Sequence, residues 1–175
     1  MRQSGPGAVE IVAGYRPGAI GAVTQQHGLY YAGAWGLDRR FEAEVAVELA
    51  DFIGRFDSER DGLWLAVDAG RIVGAIVIDG GDGQRPGARL RWFILEAGYQ
   101  GRGLGRRLMQ AAMDFAAARG YGEVYLMTFA GLDAARRLYE AWGFRLVEER
   151  RDTDWNEDGI THQTFVLRLD PTPPR

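Results

Sequence analysis

The most informative segment of the chain reads Trp92-Phe93-Ile94-Leu95-Glu96-Ala97-Gly98-Tyr99-Gln100-Gly101-Arg102-Gly103-Leu104-Gly105-Arg106. The first four residues, Trp92 to Leu95, are the end of a longer run, Ala88 to Leu95, that is typical of a buried strand. A loop with four glycines leads from there into Leu104 to Arg119, an amphipathic pattern that predicts a helix. Glycines let backbone N–H groups converge on an anion, and a helix N-terminus adds partial positive charge. The segment therefore predicts a phosphate-binding loop.

Two common phosphate-binding motifs do not fit this loop. The dinucleotide fingerprint needs a glycine three residues after Gly103, where the chain has Arg106. A P-loop that starts at Gly98 needs Lys and then Ser or Thr after Gly103, where the chain has Leu104 and Gly105. Nucleotide binding through either motif is disfavoured.

A third pattern, Gln-x-x-Gly-x-Gly, is present as Gln100, Gly103 and Gly105. One predicted strand and one predicted helix later the chain reads Ala134-Ala135-Arg136-Arg137-Leu138-Tyr139-Glu140-Ala141-Trp142-Gly143-Phe144. Each motif alone is also compatible with an ordinary turn or with core packing. In this order and spacing, the two motifs resemble those of the GNAT N-acetyltransferase superfamily.

The leading segments extend this resemblance, which covers about Val9 to Leu169. Gly14 to Gly18, Gln26 to Tyr31 and Phe41-Glu42 are similar to the acetyltransferase half of bacterial proteins that fuse a MarR-type regulator to a GNAT domain. We expect the acetyltransferase half alone. It would form one domain over residues 9–170, with residues 1–8 and 171–175 as tails.

The hydrophobic periodicity predicts the element order β, α, α, β, β, β, α, β, α, β, β. The strands are expected at 9–14, 63–67, 72–78, 88–95, 123–129, 145–149 and 163–169, and the helices at 17–30, 39–55, 104–119 and 133–142. An antiparallel meander that feeds a strand–helix–strand unit implies a mixed, mostly antiparallel sheet with helices on both faces. The predicted fold class is α/β in a single domain.

Composition excludes several classes of protein. The chain has 175 residues, 21 basic and 24 acidic side chains and a formal charge of -3, which argues against a nucleic-acid partner. The absence of Cys excludes an acyl-cysteine intermediate and cysteine metal sites, and with only two His we expect no metal. No apolar run reaches the ~20 residues of a membrane helix, and there is no secretory apolar region, so we expect a cytoplasmic protein without a membrane partner.

The resemblance implies acetyl-CoA as co-substrate. Its pyrophosphate is expected on the loop, at Gln100, Gly101, Arg102, Gly103, Leu104, Gly105 and Arg106. The strand before the loop is expected to separate from its neighbour, so that backbone groups of Phe93, Ile94 and Leu95 bind the pantetheine arm and the acetyl oxygen. Tyr139 would protonate the departing thiolate. Without a cysteine, we expect direct attack by the amine in a ternary complex.

The general base is the least defined element of the predicted site. Some family members carry a carboxylate within the strand before the loop, but residues 88–92 here contain none. Glu96 at the strand end and Glu42 on the second helix are the candidates, and the simpler alternative for each is a solvated surface glutamate. Phe129 stands where many members have an asparagine that binds pantetheine, and Phe129 can only pack.

The acceptor is expected between the first two helices and the loop that joins the last strands. The helices carry the aromatic residues His27, Tyr30, Tyr31, Trp35 and Phe41, and the loop carries Asp152, Asp154, Trp155, Glu157 and Asp158. This combination favours a cationic amine, small or peptide-borne; the alternative is that the aromatic residues are core and the acids a solvated turn. A non-catalytic acyl-CoA-sensing module is the second hypothesis, and the sequence leaves a homodimer open.

Overall fold

A computed structural model describes residues 8–153 and 158–169 of the chain. In chain order the elements are β1 (Glu10–Ala13), α1 (Ala19–Trp35), α2 (Arg39–Gly54), β2 (Gly62–Asp68), β3 (Arg71–Asp79), β4 (Ala88–Leu95), a 3-10 turn (Ala97–Tyr99), α3 (Leu104–Ala118), β5 (Glu123–Phe129), α4 (Asp133–Ala141), β6 (Arg145–Asp152) and β7 (Ile160–Arg168). The predicted order of strands and helices is confirmed. Helix α1 is longer than predicted, since it continues to Trp35. The 3-10 turn was not predicted from the sequence. Residues 1–7 and 171–175 of the predicted tails lie outside the described residues.

The seven strands form one sheet in the order β1-β2-β3-β4-β5-β7-β6. Every neighbouring pair is antiparallel except β4 and β5, which run parallel, so the predicted mixed and mostly antiparallel sheet is confirmed. β4 and β5 pair only from Ala88 with Val124 to Leu90 with Leu126. Beyond Leu90 the two strands separate, and an opening forms in the middle of the sheet.

Helices cover both faces of the sheet, as predicted. On one face α2 begins at its N-cap Asp38, whose carboxylate accepts a hydrogen bond from the amide of Arg40 at 2.8 Å. The predicted apolar stripe of α2 is buried, with Ile53 only partly so. Its buried members, which pack together with α1 against the sheet, are Phe41, Val45, Leu49 and Phe52.

On the other face, the buried side of α3 differs from the prediction. Leu104, Leu108 and Ala112 are buried as expected, but Ala111 and Phe115 are only partly buried. The helix is rotated so that the flexible side chains of Met109 and Met113, together with Ala116, fill the core. Phe115 lies at the margin, where its ring packs edge-on against Trp64 at 5.4 Å between centroids.

A β-bulge interrupts β4 where it leaves β5. Val77 on β3 pairs with Arg91 and Ala75 pairs with Ile94, so two residues of β4 oppose one residue of β3. Trp92, the first bulged residue, has a φ of 44°, a left-handed conformation that costs a non-glycine residue about 1–3 kcal/mol. Packing therefore has to hold this residue in place.

The bulge reverses which side chains of β4 face α3 and α4. Before the bulge, Leu90 belongs to the core under α3, whereas after it Trp92 and Ile94 belong to the core under α1 and α2. Phe93 is consequently directed to the α4 side, where it packs on Tyr139. A regular strand would have placed Phe93 on the opposite face.

Trp92 is held by its neighbours on α2 and β4. Its ring lies 5.5 Å from the ring of Phe52, and the guanidinium of Arg91 lies over it at 4.0 Å. Arg91 is in turn bonded to Asp79 at 3.2 Å and to Glu48. The strained position is thus coupled to a network of buried charges.

Asp79 is the centre of this network, since its side chain is 0% exposed and bonds Arg55 of α2 at 2.7 Å. Burial alone would raise the pKa of this carboxyl. The hydrogen bonds and charges of Arg55 and Arg91, with the amide of Gly81, outweigh burial and hold the pKa below its ordinary value. The carboxylate therefore joins α2 to the strand that carries the bulge.

We expect Asp79→Asn to lower the free energy of unfolding by about 3 kcal/mol near neutral pH, because it removes the buried carboxylate that Arg55 and Arg91 share. Since the pKa of Asp79 is lower in the folded than in the unfolded chain, its contribution is complete above the unfolded value of about 3.9 and is lost as the pH falls through the folded value. The difference from wild type should therefore narrow below about pH 4. Urea unfolding of both proteins at several pH values measures this difference in the free energy of unfolding.

Asp51→Asn is the matched control. Asp51 bonds the same Arg55, at 3.3 Å, but its side chain is 74% exposed. An exposed pair of this kind contributes less than about 1 kcal/mol. Equal losses in the two variants would contradict the role of the buried network.

Candidate active site

A cavity of about 310 Å³ lies at the opening between β4 and β5. Its wall combines residues from both sides of the sheet, among them His27 of α1, Phe93 of β4 and Tyr139 of α4. Thr128 and Phe129 of β5 line it where that strand has left β4. The separation of the two parallel strands therefore creates the cavity.

Tyr139 is presented to the cavity by α4 and is 6% exposed. Its ring packs against Phe93 at 6.2 Å, Phe144 at 6.1 Å and Phe165 at 6.2 Å. Burial raises the pKa of the phenol, and the phenols of Tyr31 and Tyr30 raise it further. The hydroxyl is therefore protonated at neutral pH and is able to donate a proton into the cavity.

The N-terminus of α3 is open. Its N-cap Gly103 has a φ of 76°, which favours glycine, and among the described residues no side chain caps this end. The first backbone bond of the helix runs from the amide of Arg107 to the carbonyl of Gly103 at 3.1 Å. The amides of Leu104, Gly105 and Arg106 are thus left for an external acceptor, as in an anion site at a helix N-terminus.

The loop before α3 contacts both the end of β4 and α4. The side-chain amide of Gln100 donates to the carbonyl of Leu95 at 2.9 Å. A Cβ atom built on Gly105 would lie 3.6 Å from the ring of Phe93 and 3.7 Å from Leu138. The structure thus brings together the glycine loop, the predicted strand residues and the helix that carries Tyr139.

The amide of Leu95 points toward the opening of the sheet. The next amide, that of Glu96, donates to the carbonyl of Val73 on the β3 side at 2.9 Å. Because successive amides of a strand point to opposite edges, the amide of Leu95 is directed away from β3. It lies on the edge that β5 has left.

The structure does not bring the two predicted bases, Glu96 and Glu42, into the cavity. Glu96 accepts two hydrogen bonds from Arg71, at 2.7 and 2.8 Å, and one from Gln26 at 3.2 Å. Glu42 is exposed and lies against α1, since a Cβ on Gly28 would come within 2.8 Å of its carboxylate. Neither side chain lines the wall that contains Tyr139.

Five Glu and Arg residues that were not predicted from the sequence line the cavity: Glu44, Glu48, Arg89, Arg91 and Arg150. The two glutamates are one helical turn apart on α2, the spacing that places side chains on one face. That spacing was a usable signal, because Phe41 and Val45 mark the same side of the helix. The family resemblance had instead suggested a carboxylate on β4.

The expected aromatic wall is present in part. His27, Tyr31 and Phe41 line the cavity, and the ring of Tyr31 lies 4.9 Å from that of Phe41 and 5.4 Å from that of Phe129. Tyr30 is 39% exposed and lies outside the cavity. Trp35, also outside it, packs against Phe129 at 6.3 Å.

The acidic side of the expected acceptor site is only partly described. Asp152 bonds His162 at 3.1 Å and Arg150 at 2.9 Å, and His162 and Arg150 line the cavity. Asp158 is exposed. The remaining residues of this expectation, Asp154, Trp155 and Glu157, lie outside the described residues.

Within residues 8–153 and 158–169, no group of three or more His, Asp or Glu side chains could hold a metal ion. In the same part of the chain, no helix is long and apolar enough to cross a membrane.

Comparisons with known proteins agree with this geometry. The model of the acetyltransferase (GNAT) family matches residues 26–144, so the chain belongs to the GNAT family. N-acetylaspartate synthetase of Danio rerio is 33% identical over 89 residues, 51% of this chain and 31% of that protein. N-alpha-acetyltransferase RimI of Mycobacterium tuberculosis is 49% identical over 57 residues, 33% of this chain and 34% of that protein. The chain thus spans about a third of the length of each of these relatives.

A solved structure extends the agreement to the whole fold. The structure of yncA from Salmonella typhimurium, solved with its cofactor acetyl-CoA, superimposes with a TM-score of 0.71. It is 17% identical, and the match covers 94% of this chain and 96% of that one. At this identity the likeness concerns the fold.

We expect Gly103→Ala to weaken the binding of coenzyme A about tenfold or more. Alanine at a φ of 76° is strained by roughly 1–2 kcal/mol although no atom obstructs its Cβ, and relief of that strain moves the open amides. Isothermal titration calorimetry with coenzyme A measures the effect.

Gly98→Ala serves as the control, because Gly98 lies in the same loop, has no positive φ, and no atom lies within 4 Å of a Cβ built on it. Its affinity should stay within about twofold of wild type. An equal loss in both variants would contradict the specific role of the Gly103 conformation.

Proposed function

We propose that this protein is an acetyl-CoA-dependent N-acetyltransferase that moves an acetyl group to an amine by direct attack in a ternary complex. One observation carries the proposal: the open N-terminus of α3 approaches Phe93, which lines the cavity together with the protonated phenol of Tyr139. Membership of the GNAT family supports the same reaction class. The names of both relatives describe N-acetylation.

The residues present fit acetyl-CoA. The amides of Leu104, Gly105 and Arg106 would hold the pyrophosphate, because they have no partner within the helix and lie at its positive end. Gln100 fixes the loop to Leu95, and Arg102 and Arg106 are exposed cations beside it. Gly101, with a φ of 73°, supplies a second left-handed turn.

The opening of the sheet would receive the pantetheine arm and the acetyl group. Backbone groups of Phe93, Ile94 and Leu95 border it, and the amide of Leu95 points toward it. Backbone N–H groups fixed in this way would stabilise negative charge on the acetyl oxygen without reorganisation. The bound group supplies the activated acetyl carbon of a thioester.

Tyr139 would donate its proton to the sulfur as the thiolate departs. Its raised pKa keeps the phenol protonated at physiological pH, and packing against Phe93 fixes its ring beside the strand that borders the acetyl group. A positioned acid of this kind contributes roughly 10²–10⁴-fold to a rate.

The acceptor would be a small or peptide-borne amine that enters from the α1 and α2 side. The aromatic rings of Tyr31 and Phe41 and the carboxylates of Glu44 and Glu48 line that part of the cavity. The rings suit a cationic amine through cation–π contacts, and the two carboxylates lie in the same wall as three arginines, with Glu48 bonded to Arg91.

Several sequence-based expectations remain predictions. They are a base role for Glu96 or Glu42, a cytoplasmic location and the similarity to MarR–GNAT fusions. The alternative of a non-catalytic sensor predicts binding of coenzyme A without turnover.

Release of free thiol from acetyl-CoA tests the proposal with three amines of different charge: spermidine, L-aspartate and a tetrapeptide with a free N-terminus. Amine-dependent release with mass-spectrometric detection of the N-acetyl product supports a transferase. Binding of coenzyme A without release for any amine favours the sensor, and a fast reaction confined to L-aspartate would contradict the cationic acceptor.

We expect Tyr139→Phe to lower kcat about 100-fold while the dissociation constant for acetyl-CoA and the thermal midpoint change little. The phenylalanine ring keeps the packing on Phe93 and removes only the proton donor. Steady-state kinetics and calorimetry measure the two quantities separately.

Tyr15→Phe is the control, because this tyrosine is 53% exposed and loses the same hydroxyl outside the cavity. It should keep the wild-type rate. If Tyr139→Phe weakened cofactor binding and left kcat intact, the acid role would be wrong.

A further inference from the structure

We propose that His27 is a catalytic residue that accepts the proton of the attacking amine at its Nε2 atom. This inference rests on the proposed function, since it assigns the base for the same reaction. It replaces the carboxylates that the sequence suggested, because His27 lines the cavity that Glu96 and Glu42 do not.

The hydrogen bonding of His27 fixes its tautomer. Nδ1 lies 2.8 Å from the carbonyl of Val23, one turn earlier on α1. A carbonyl only accepts, so Nδ1 carries the hydrogen and Nε2 of the neutral ring carries the lone pair. With Nδ1 directed to the helix backbone, Nε2 is the nitrogen left for a ligand in the cavity. A base whose other nitrogen is fixed by a carbonyl is oriented before the substrate arrives.

The surroundings of His27 keep its ring neutral and in place. The residue is 5% exposed, and its ring stacks on Tyr31 with the centroids 6.1 Å apart. Burial lowers the pKa of His27 to about 4, although the bond to Val23 opposes this change. The lone pair is therefore available at physiological pH.

The position of His27 complements that of Tyr139. The two side chains line the same cavity from α1 and α4, on opposite faces of the sheet, and the acetyl site at β4 borders the same space. An amine placed between them would have an N–H directed at Nε2 and its lone pair directed at the acetyl carbon. Acid and base are thus provided by different helices.

The proposed step balances in protons and electrons. The nitrogen lone pair of a neutral amine forms the N–C bond, the C–S bond breaks, and its electron pair remains on sulfur. The proton lost by nitrogen passes to Nε2 of His27, and the sulfur receives the proton of Tyr139. Return of the proton from His27 to the Tyr139 oxygen through solvent restores both side chains.

The low basicity of His27 limits when it acts. It cannot deprotonate a free alkylammonium, whose pKa is near 10.4. The attacking nitrogen becomes far more acidic as the N–C bond forms, and at that stage a neutral imidazole is a sufficient acceptor. We therefore expect His27 to raise kcat by about 100-fold, near the lower end of the range for general bases.

His162 is the competing histidine in the same wall. Its Nε2 is 3.1 Å from a carboxylate oxygen of Asp152, and its ring packs against Phe129 at 5.1 Å. These contacts direct Nε2 to the β6–β7 edge. The chain has only these two histidines, so the assignment can be decided by comparing them.

The kinetic test compares His27→Phe with His162→Phe, using whichever of spermidine, L-aspartate and the tetrapeptide wild type acetylates fastest. We expect His27→Phe to lower kcat about 100-fold and to leave the affinity for coenzyme A and the thermal midpoint near wild type. His162→Phe should change kcat less than about fivefold. Retention of kcat in His27→Phe, or the larger loss in His162→Phe, would overturn the proposal.

Chemical rescue separates catalysis from packing. His27→Ala leaves a space that free imidazole is able to enter from the cavity. Added imidazole should therefore raise kcat of this variant at least tenfold. His27→Phe fills that space and should not respond. Absence of rescue in the alanine variant, together with a lowered thermal midpoint in both variants, would indicate a structural role and overturn the proposal.

A third measurement does not depend on turnover. With isotope-labelled histidine, nitrogen NMR should show Nδ1 of His27 protonated and Nε2 unprotonated at neutral pH. Addition of coenzyme A and the amine should shift the Nε2 resonance of His27 and not that of His162. The opposite tautomer, or no shift in a saturated complex, would overturn the base role. Lack of turnover by wild type with all three amines would instead count against the proposed function.

Discussion

The separation of β4 from β5 after Leu90 is the constraint on which the site depends. Parallel strands that stayed paired would use their own backbone groups and would leave no space between α1 and α4. The bulge at Trp92 makes the separation compatible with a continuous β3–β4 ladder, because it turns the strand without ending it. The orientation of Phe93, the free amide of Leu95 and the cavity itself follow from that one irregularity.

The strained bulge is stable because charge and packing fix it from both sides. The guanidinium of Arg91 covers the ring of Trp92, and Asp79, buried beneath, holds Arg91 and Arg55 together. The alternating arginines of β4 first indicated a strand without a catalytic carboxylate. In the structure these arginines belong to the charge network that supports the site. The proposed base lies on α1 instead.

The sequence predicted features that depend on local pattern. Periodicity determined the element order, and motif spacing identified the loop at Gly103 and the phenol of Tyr139. The sequence did not predict the bulge, because Trp92 is an ordinary strand residue whose left-handed φ depends on neighbours from β3 and α2. The buried side of α3 was misassigned since several rotations of an alanine- and methionine-rich helix bury similar apolar area. The spacing of Glu44 and Glu48 was a local signal for one face of α2, but their position at the opening, like that of His27, depends on how α1 and α2 pack there.

The wall of the cavity combines side chains from both faces of the sheet, with Tyr139 contributed by α4 and His27 by α1. Under the proposed function, the thioester carrier and the amine would therefore approach the opening from different faces. Departure of the bulky thiol would then not have to wait for the acylated product, and the acceptor side could diversify while the carrier side stayed unchanged.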